Sequence, residues 1–150
     1  MEATPRMFGR GRHELVKETR RILVVEDEPL IAFDTEHLLT DAGYEVVATV
    51  DNAAEALRLI AVGGIDLVTA DVSLRGQGTG IDIARKAREA GLAVLFVSGQ
   101  CPVEAQALAD GCLAKPYSPR DLLTAIAAVA AVRAGVKATR VPRGLTLYGG

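Results

Sequence analysis

Five times between residues 22 and 133 a short apolar, β-prone run gives way to a helix-forming segment. No other feature of the 150-residue chain constrains its fold as strongly. The runs fall at 22–25, 44–50, 65–70, 93–97 and 112–114. The first is apolar without interruption, the pattern of a strand covered on both faces. Between the runs stand helix signals. Pro29 suits a first helical turn, where its missing N–H does no harm, and 30–42 form an amphipathic helix ending before Gly43. Asp51 is placed to N-cap a helix over 53–61 that Gly63-Gly64 stops. A Gly-rich loop, "RGQGTG", leads to a helix at about 81–90. A short helix fits 103–109. Ser118, Pro119 and Asp121 open a last helix running to about Arg133. Right-handed crossovers between parallel strands turn this order into an α/β fold, a (βα)5 doubly wound five-stranded parallel sheet with helices on both faces.

Composition narrows the setting. The chain is 49% hydrophobic and poor in aromatics, long enough for one domain with a real core and too short for two ordinary ones. No apolar run approaches the roughly 20 residues of a membrane span, and no apolar segment follows the N-terminal arginines as in a signal peptide. A cytoplasmic protein is expected. Cys101 and Cys112, without CxxC spacing or a nearby histidine, read as two reduced thiols rather than a zinc site or a disulfide. Charge is uneven: Arg6, Arg10, Arg12, Lys17, Arg20 and Arg21 crowd the start, and Lys137, Arg140 and Arg143 the end. The expected division is a basic flexible arm over 1–20, a folded domain over 21–134 and a basic flexible tail over 135–150. Neither arm interleaves aromatics with its charge, so nucleic-acid binding is disfavoured and solvated termini are expected. His37, on the first helix, reads as a surface or half-buried residue.

In doubly wound sheets the site lies beyond the carboxyl ends of the strands. That rule gathers Glu26 and Asp27 from the first strand, Asp71 from the third, Ser98 from the fourth and Lys115 from the fifth. Clustered carboxylates with room for waters suit Mg²⁺ better than zinc. A lysine and a hydroxyl beside them suit an anion that the metal does not fully neutralise. Metal, amine and hydroxyl around one aspartate describe a carboxylate that accepts a phosphoryl group.

"ILVVEDEP", "DLVTADVSL", "VLFVSG" and "LAKPYSPRDLL" together resemble the response-regulator receiver domains of two-component signalling, across about 22–133. The resemblance implies a flavodoxin-like or CheY-like fold with strand order 2-1-3-4-5. It makes Asp71 the phosphoacceptor and Ser98 the switch hydroxyl, with Lys115 the amine that contacts the phosphate. Mg²⁺ is then held by Glu26, Asp27, Asp71 and the backbone carbonyl of Ser73, and Lys115–Pro116 is a cis peptide. Three departures stand out. Cys112 occupies the position of the usual aromatic, three residues before the lysine. The stretch from Ser98 to Lys115 is short, which trims the fourth helix. Arg75 stands where a proline is common. These features resemble stand-alone receivers of the FATGUY type or the receiver portion of PhyR-like stress regulators.

With no output domain expected after Arg133, the reading is a single-domain response regulator. It would take a phosphoryl group from a histidine kinase or histidine phosphotransfer protein. It would then signal by binding a downstream protein, or serve as a phosphate shuttle or sink; a homodimer stays open, and no membrane is involved. It would be no enzyme beyond its own phosphotransfer and autodephosphorylation. A degenerate receiver, never phosphorylated and acting as a constitutive interaction module, is the alternative. An unrelated flavodoxin-like binder or Mg²⁺-dependent phosphatase fits less well, because the second aspartate of haloacid-type phosphatases is absent after Asp71.

Overall fold

The computed structural model describes residues 18–72, 79–101, 103 and 105–148. Strands and helices alternate as β1 (Arg21–Val25), α1 (Pro29–Asp41), β2 (Glu45–Val50), α2 (Ala53–Val62), β3 (Leu67–Asp71), α3 (Gly80–Glu89), β4 (Ala93–Ser98), α4 (Ala105–Leu108), β5 (Gly111–Ala114) and α5 (Pro119–Arg133). The sheet runs β2-β1-β3-β4-β5 with all neighbours parallel, the expected doubly wound order. A sixth strand, β6 (Leu145–Leu147), lies antiparallel on the outer edge of β5. Among the described residues no helix is long and apolar enough to cross a membrane.

Side chains alternate across the strands, so the two faces of the sheet bury different sets. Ile22, Val24, Leu67, Leu95 and Leu113 pack with Leu39 of α1 and with Leu122, Ile126 and Val129 of α5. Leu23, Val25, Val68, Val94 and Phe96 face Ala56 and Ile60 of α2, Ile83 and Ala87 of α3 and Ala105 of α4. The central strands are therefore buried along both faces and mainly apolar, with Thr69 and the strand-end Asp71 and Ser98 as buried polar positions. α2, α3 and α5 start on side-chain caps, whereas α1 starts on Pro29 without one. Thr79 with Asp82, and Ser118 with Asp121, form capping boxes. Gly80 opens α3 directly against the end of β3: a Cβ there would meet the Val72 Cα at 2.9 Å and the Asp71 carbonyl oxygen at 3.0 Å. Gly63, with φ of 97°, ends α2 in a conformation that L side chains rarely adopt.

The structure corrects the sequence reading in three places. The α2 N-cap is Asn52, whose side chain accepts the Glu55 N–H at 2.9 Å; Asp51, the expected cap, instead accepts from the Asn52 amide at 2.8 Å. The expected tail over 135–150 contributes β6. Leu145, 7% exposed, joins the α5-side core, and the Ala114 N–H donates to the Gly144 carbonyl at 2.9 Å, so the β5 edge is covered rather than left to solvent. The expected pair of reduced thiols is a disulfide between Cys101 and Cys112, with Cα atoms 6.1 Å apart. Their 11-residue separation forms no motif; only the β4–β5 pairing brings the loop after β4 over Cys112. The trimmed α4 is as expected, a single turn. Residues 1–17 of the expected arm over 1–20 and the loop over 73–78 lie outside the described residues.

Candidate functional site

Four strand ends deliver the site. Glu26 follows β1, and its N–H donates to the Val50 carbonyl at 2.9 Å, which fixes the chain as it leaves the sheet. Asp71 is the last residue of β3, paired with Val97 of β4. Ser98 ends β4, and the Lys115 N–H donates to its carbonyl at 2.8 Å. Lys115 then enters the cis peptide to Pro116. Carboxylate oxygens of Glu26, Asp27 and Asp71 all lie within 4.8 Å of one another. The Lys115 ammonium donates to Asp71 Oδ2 at 3.0 Å. The structure thus brings Glu26, Asp27, Asp71 and Lys115 together and sets Ser98 on the adjoining strand end. Ser73 lies outside the described residues.

Glu26 and Asp71 are each 6% exposed. Burial raises the Glu26 carboxyl above the ordinary carboxylate value; the Glu28 N–H, which it accepts at 3.1 Å, opposes the rise, and the charge of Asp71 adds to it. Burial alone would lower the Lys115 ammonium. Its hydrogen bond to Asp71 and the charges of Asp71, Glu26 and Glu28 outweigh that, and hold it above the ordinary lysine value. Among the described residues, three clustered carboxylates face the Lys115 ammonium. The cluster's donor set is all oxygen, the kind a hard divalent cation takes.

Two features of the site escape sequence reasoning. Thr35 of α1 and Tyr117 both line the small cavity beneath Glu26 and Asp71. The Ser98 hydroxyl is engaged with its own loop: it donates to the Gln100 carbonyl at 2.9 Å and accepts the Gln100 N–H at 3.2 Å. No motif marks Thr35 or Gln100; only the fold places them. Beside Lys115 an open groove of about 700 Å³ runs between α1 and α5, lined by Ile31, Leu38, Pro116, Tyr117 and Leu122 among others. Leu30 and Phe33, on α1, are 79% and 60% exposed.

The sheet order and its acid–lysine edge define a CheY-like receiver, and comparison with known proteins agrees. The response regulator receiver domain family matches residues 22–127, and the chain belongs to it. The transcriptional regulatory protein PdtaR of Mycobacterium tuberculosis is 36% identical over 113 residues, covering 71% of this chain and 55% of PdtaR. A response regulator receiver protein of Sinorhizobium medicae superposes with a TM-score of 0.68 at 30% identity, covering 77% of this chain and 98% of that one. The chemotaxis response regulator CheY4 of Vibrio cholerae gives 0.67 at 28% identity, covering 74% and 98%. The chain spans about half the length of the curated relatives it matches.

Proposed function

We propose that this receiver accepts a phosphoryl group on Asp71 from a histidine of a kinase or phosphotransfer protein, and passes the signal on by protein–protein contact or by shuttling the phosphate. The observation that carries this reading is the Lys115 ammonium 3.0 Å from Asp71 Oδ2, beside carboxylates gathered within 4.8 Å. An ammonium and a buried acid cluster at one edge are what a carboxylate needs if it is to hold a phosphoryl anion. The donor set fits Mg²⁺, which Glu26, Asp27 and Asp71 would hold; a backbone carbonyl at Ser73 is the further ligand that the family resemblance implies. When bound, Mg²⁺ supplies positive charge against the phosphoryl oxygens and the clustered acids.

The chain's own residues do the rest. An Asp71 oxygen attacks phosphorus; the O–P bond forms as the N–P bond of the donor phosphohistidine breaks, and the imidazole leaves. Lys115 stays on the site and neutralises charge on the transferred group. The Ser98 hydroxyl must give up the Gln100 carbonyl before it can donate to a phosphoryl oxygen. The groove beside Lys115 and the exposed Leu30 and Phe33 offer an apolar surface near the site on which a protein donor could rest. Beyond its own phosphotransfer and autodephosphorylation, no enzymatic turnover is proposed.

The test is labelling with a small acyl phosphate and Mg²⁺, read by intact mass. One phosphoryl group is expected on the wild type and none on Asp71→Asn, whose amide keeps the shape without the nucleophilic charge; circular dichroism checks that the variant is folded. Equal labelling of both would overturn the assignment. No labelling of the wild type would leave the constitutive interaction module as the reading.

A further inference from the structure

The Cys101–Cys112 pair joins two segments that differ in burial. Cys112 is wholly buried in β5, in register with Phe96 of β4 on one side and Thr146 of β6 on the other. It is a fixed end, held within the sheet. Cys101 is half-buried on the loop that leaves β4, next to the exposed Gly99 and Gln100 and three residues beyond Ser98. It is the reachable end. Their Cα atoms stand 6.1 Å apart, a separation at which the bond closes without moving the backbone. A small thiol or disulfide can therefore meet Cys101, while Cys112 reacts only through it.

The same short loop carries the hydroxyl that must move if Asp71 is phosphorylated. Ser98 exchanges two hydrogen bonds with Gln100, and Gln100 is bonded in sequence to Cys101. Releasing the Ser98 hydroxyl toward Asp71 displaces Gln100. With the disulfide closed, Cys101 is tied to the floor of the sheet, and the shift available to Gln100 is confined to the links on either side of it. With the disulfide open, that tie is gone, and residues 99–101 are held by the Ser98–Gln100 hydrogen bonds and by the buried elements at either end, β4 and Ala105 of α4.

We propose that Cys101 and Cys112 form a thiol–disulfide exchange site whose substrate class is the low-molecular-weight disulfide, and that its state gates the response of the Ser98 loop to phosphorylation; the gating half rests on the phosphoacceptor reading of Asp71. The chemistry balances. The Cys101 thiolate attacks one sulfur of the small disulfide, giving a mixed disulfide and one released thiol. The Cys112 thiolate then attacks Cys101 Sγ, the protein disulfide forms, and a second thiol leaves. Two protein thiols are oxidised and one small disulfide is reduced to two thiols; a dithiol reductant reverses the sequence.

The test uses the full chain in two forms, one reduced by a dithiol and the other closed by an excess of oxidised glutathione, each with Mg²⁺ and with or without beryllofluoride as the phosphoryl mimic. Intact mass under non-reducing conditions reads the exchange, and amide hydrogen exchange at residues 99–101 reads the loop. The closed form is expected to be lighter by two hydrogens with no adduct retained. Beryllofluoride is expected to change loop exchange by about fivefold in the reduced form, the equivalent of one hydrogen bond, and by far less in the closed form. Cys101→Ser, a change on the half-buried loop, should respond like the reduced form in both solutions. A stable glutathione adduct on the wild type, or no mass change, overturns the exchange site. Equal loop responses in the two forms overturn the gating. Failure of beryllofluoride to bind either form, seen by fluorine NMR, overturns the phosphoacceptor reading and the gating with it, while the mass still decides the exchange site.

Discussion

Glu26 is 6% exposed and shares a 4.8 Å neighbourhood with Asp27 and Asp71, beside the ammonium of Lys115. Burial is the main cause that lifts its carboxyl above the ordinary value of 4.5. The folded protein then holds that proton to a higher pH than the unfolded chain does. Its contribution is most favourable below pH 4.5, and is lost as pH rises from there through the folded value. At neutral pH, without a divalent cation, the ionised group is a destabilising one. Glu26→Gln removes the ionisation and keeps a carbonyl oxygen for the Glu28 N–H. In metal-free buffer its melting temperature should exceed that of the wild type, by roughly 2–4 °C for each 1 kcal/mol relieved. The gap should widen from pH 4 to pH 7, and millimolar Mg²⁺ should narrow it by stabilising the wild type more. Thermal unfolding of the two proteins across that pH range checks this. A gap that shrinks with rising pH would show that lost packing, not relieved charge, governs the site.

Among the helices, α5 shows the strength of a local cap. The Ser118 hydroxyl accepts the Asp121 N–H at 3.1 Å, the Asp121 carboxylate accepts the Ser118 N–H at 3.1 Å, and Pro119 fills the first turn. Ser118→Ala should cost about 1 kcal/mol by equilibrium denaturation, with the denaturant slope unchanged. A loss below a few tenths would mean that packing of Leu122 and Ile126 alone starts the helix. Ser118, Pro119 and Asp121 were legible in the sequence for the same reason, because their spacing is the signal. So were the strands: a run such as Ile22 to Val25 has no polar face to present and must be covered twice. The strand-end rule then gathers Glu26, Asp27, Asp71, Ser98 and Lys115 at one edge. What stayed hidden depends on tertiary pairing. Asn52 and Asp51 are both good caps, and only the backbone decides between them. Cys101 and Cys112 become neighbours through strand order, and Gln100 meets Ser98 through the bend of its loop. Thr35 and Tyr117 reach the site from different elements, with no periodicity to mark them.

At the scale of the molecule, the sheet has two ends of unlike character. β2 is more exposed along its length, whereas β5, a four-residue strand buried at three positions, is covered by β6. A three-residue strand between Pro142 and the end of the chain has little sequence signature, and its stability has to come from what it buries. Leu145 supplies that, entering the α5-side core at 7% exposure, while its backbone pairs opposite Leu113. Leu145→Ala should therefore destabilise the whole domain by about 2–3 kcal/mol, near the lower end for a buried leucine because β6 lies at an edge. It should also speed amide exchange at Ala114, whose N–H is bonded to the Gly144 carbonyl. Phosphoryl labelling of Asp71 should persist, since Lys115 is also held from the other side by its N–H to the Ser98 carbonyl at 2.8 Å. Denaturant unfolding, hydrogen exchange and intact-mass labelling of one variant separate these effects. If stability falls by less than about 0.5 kcal/mol, a value typical of surface substitutions, β6 merely rests on β5. If labelling is lost along with stability, the far edge of the sheet reaches the site through β5.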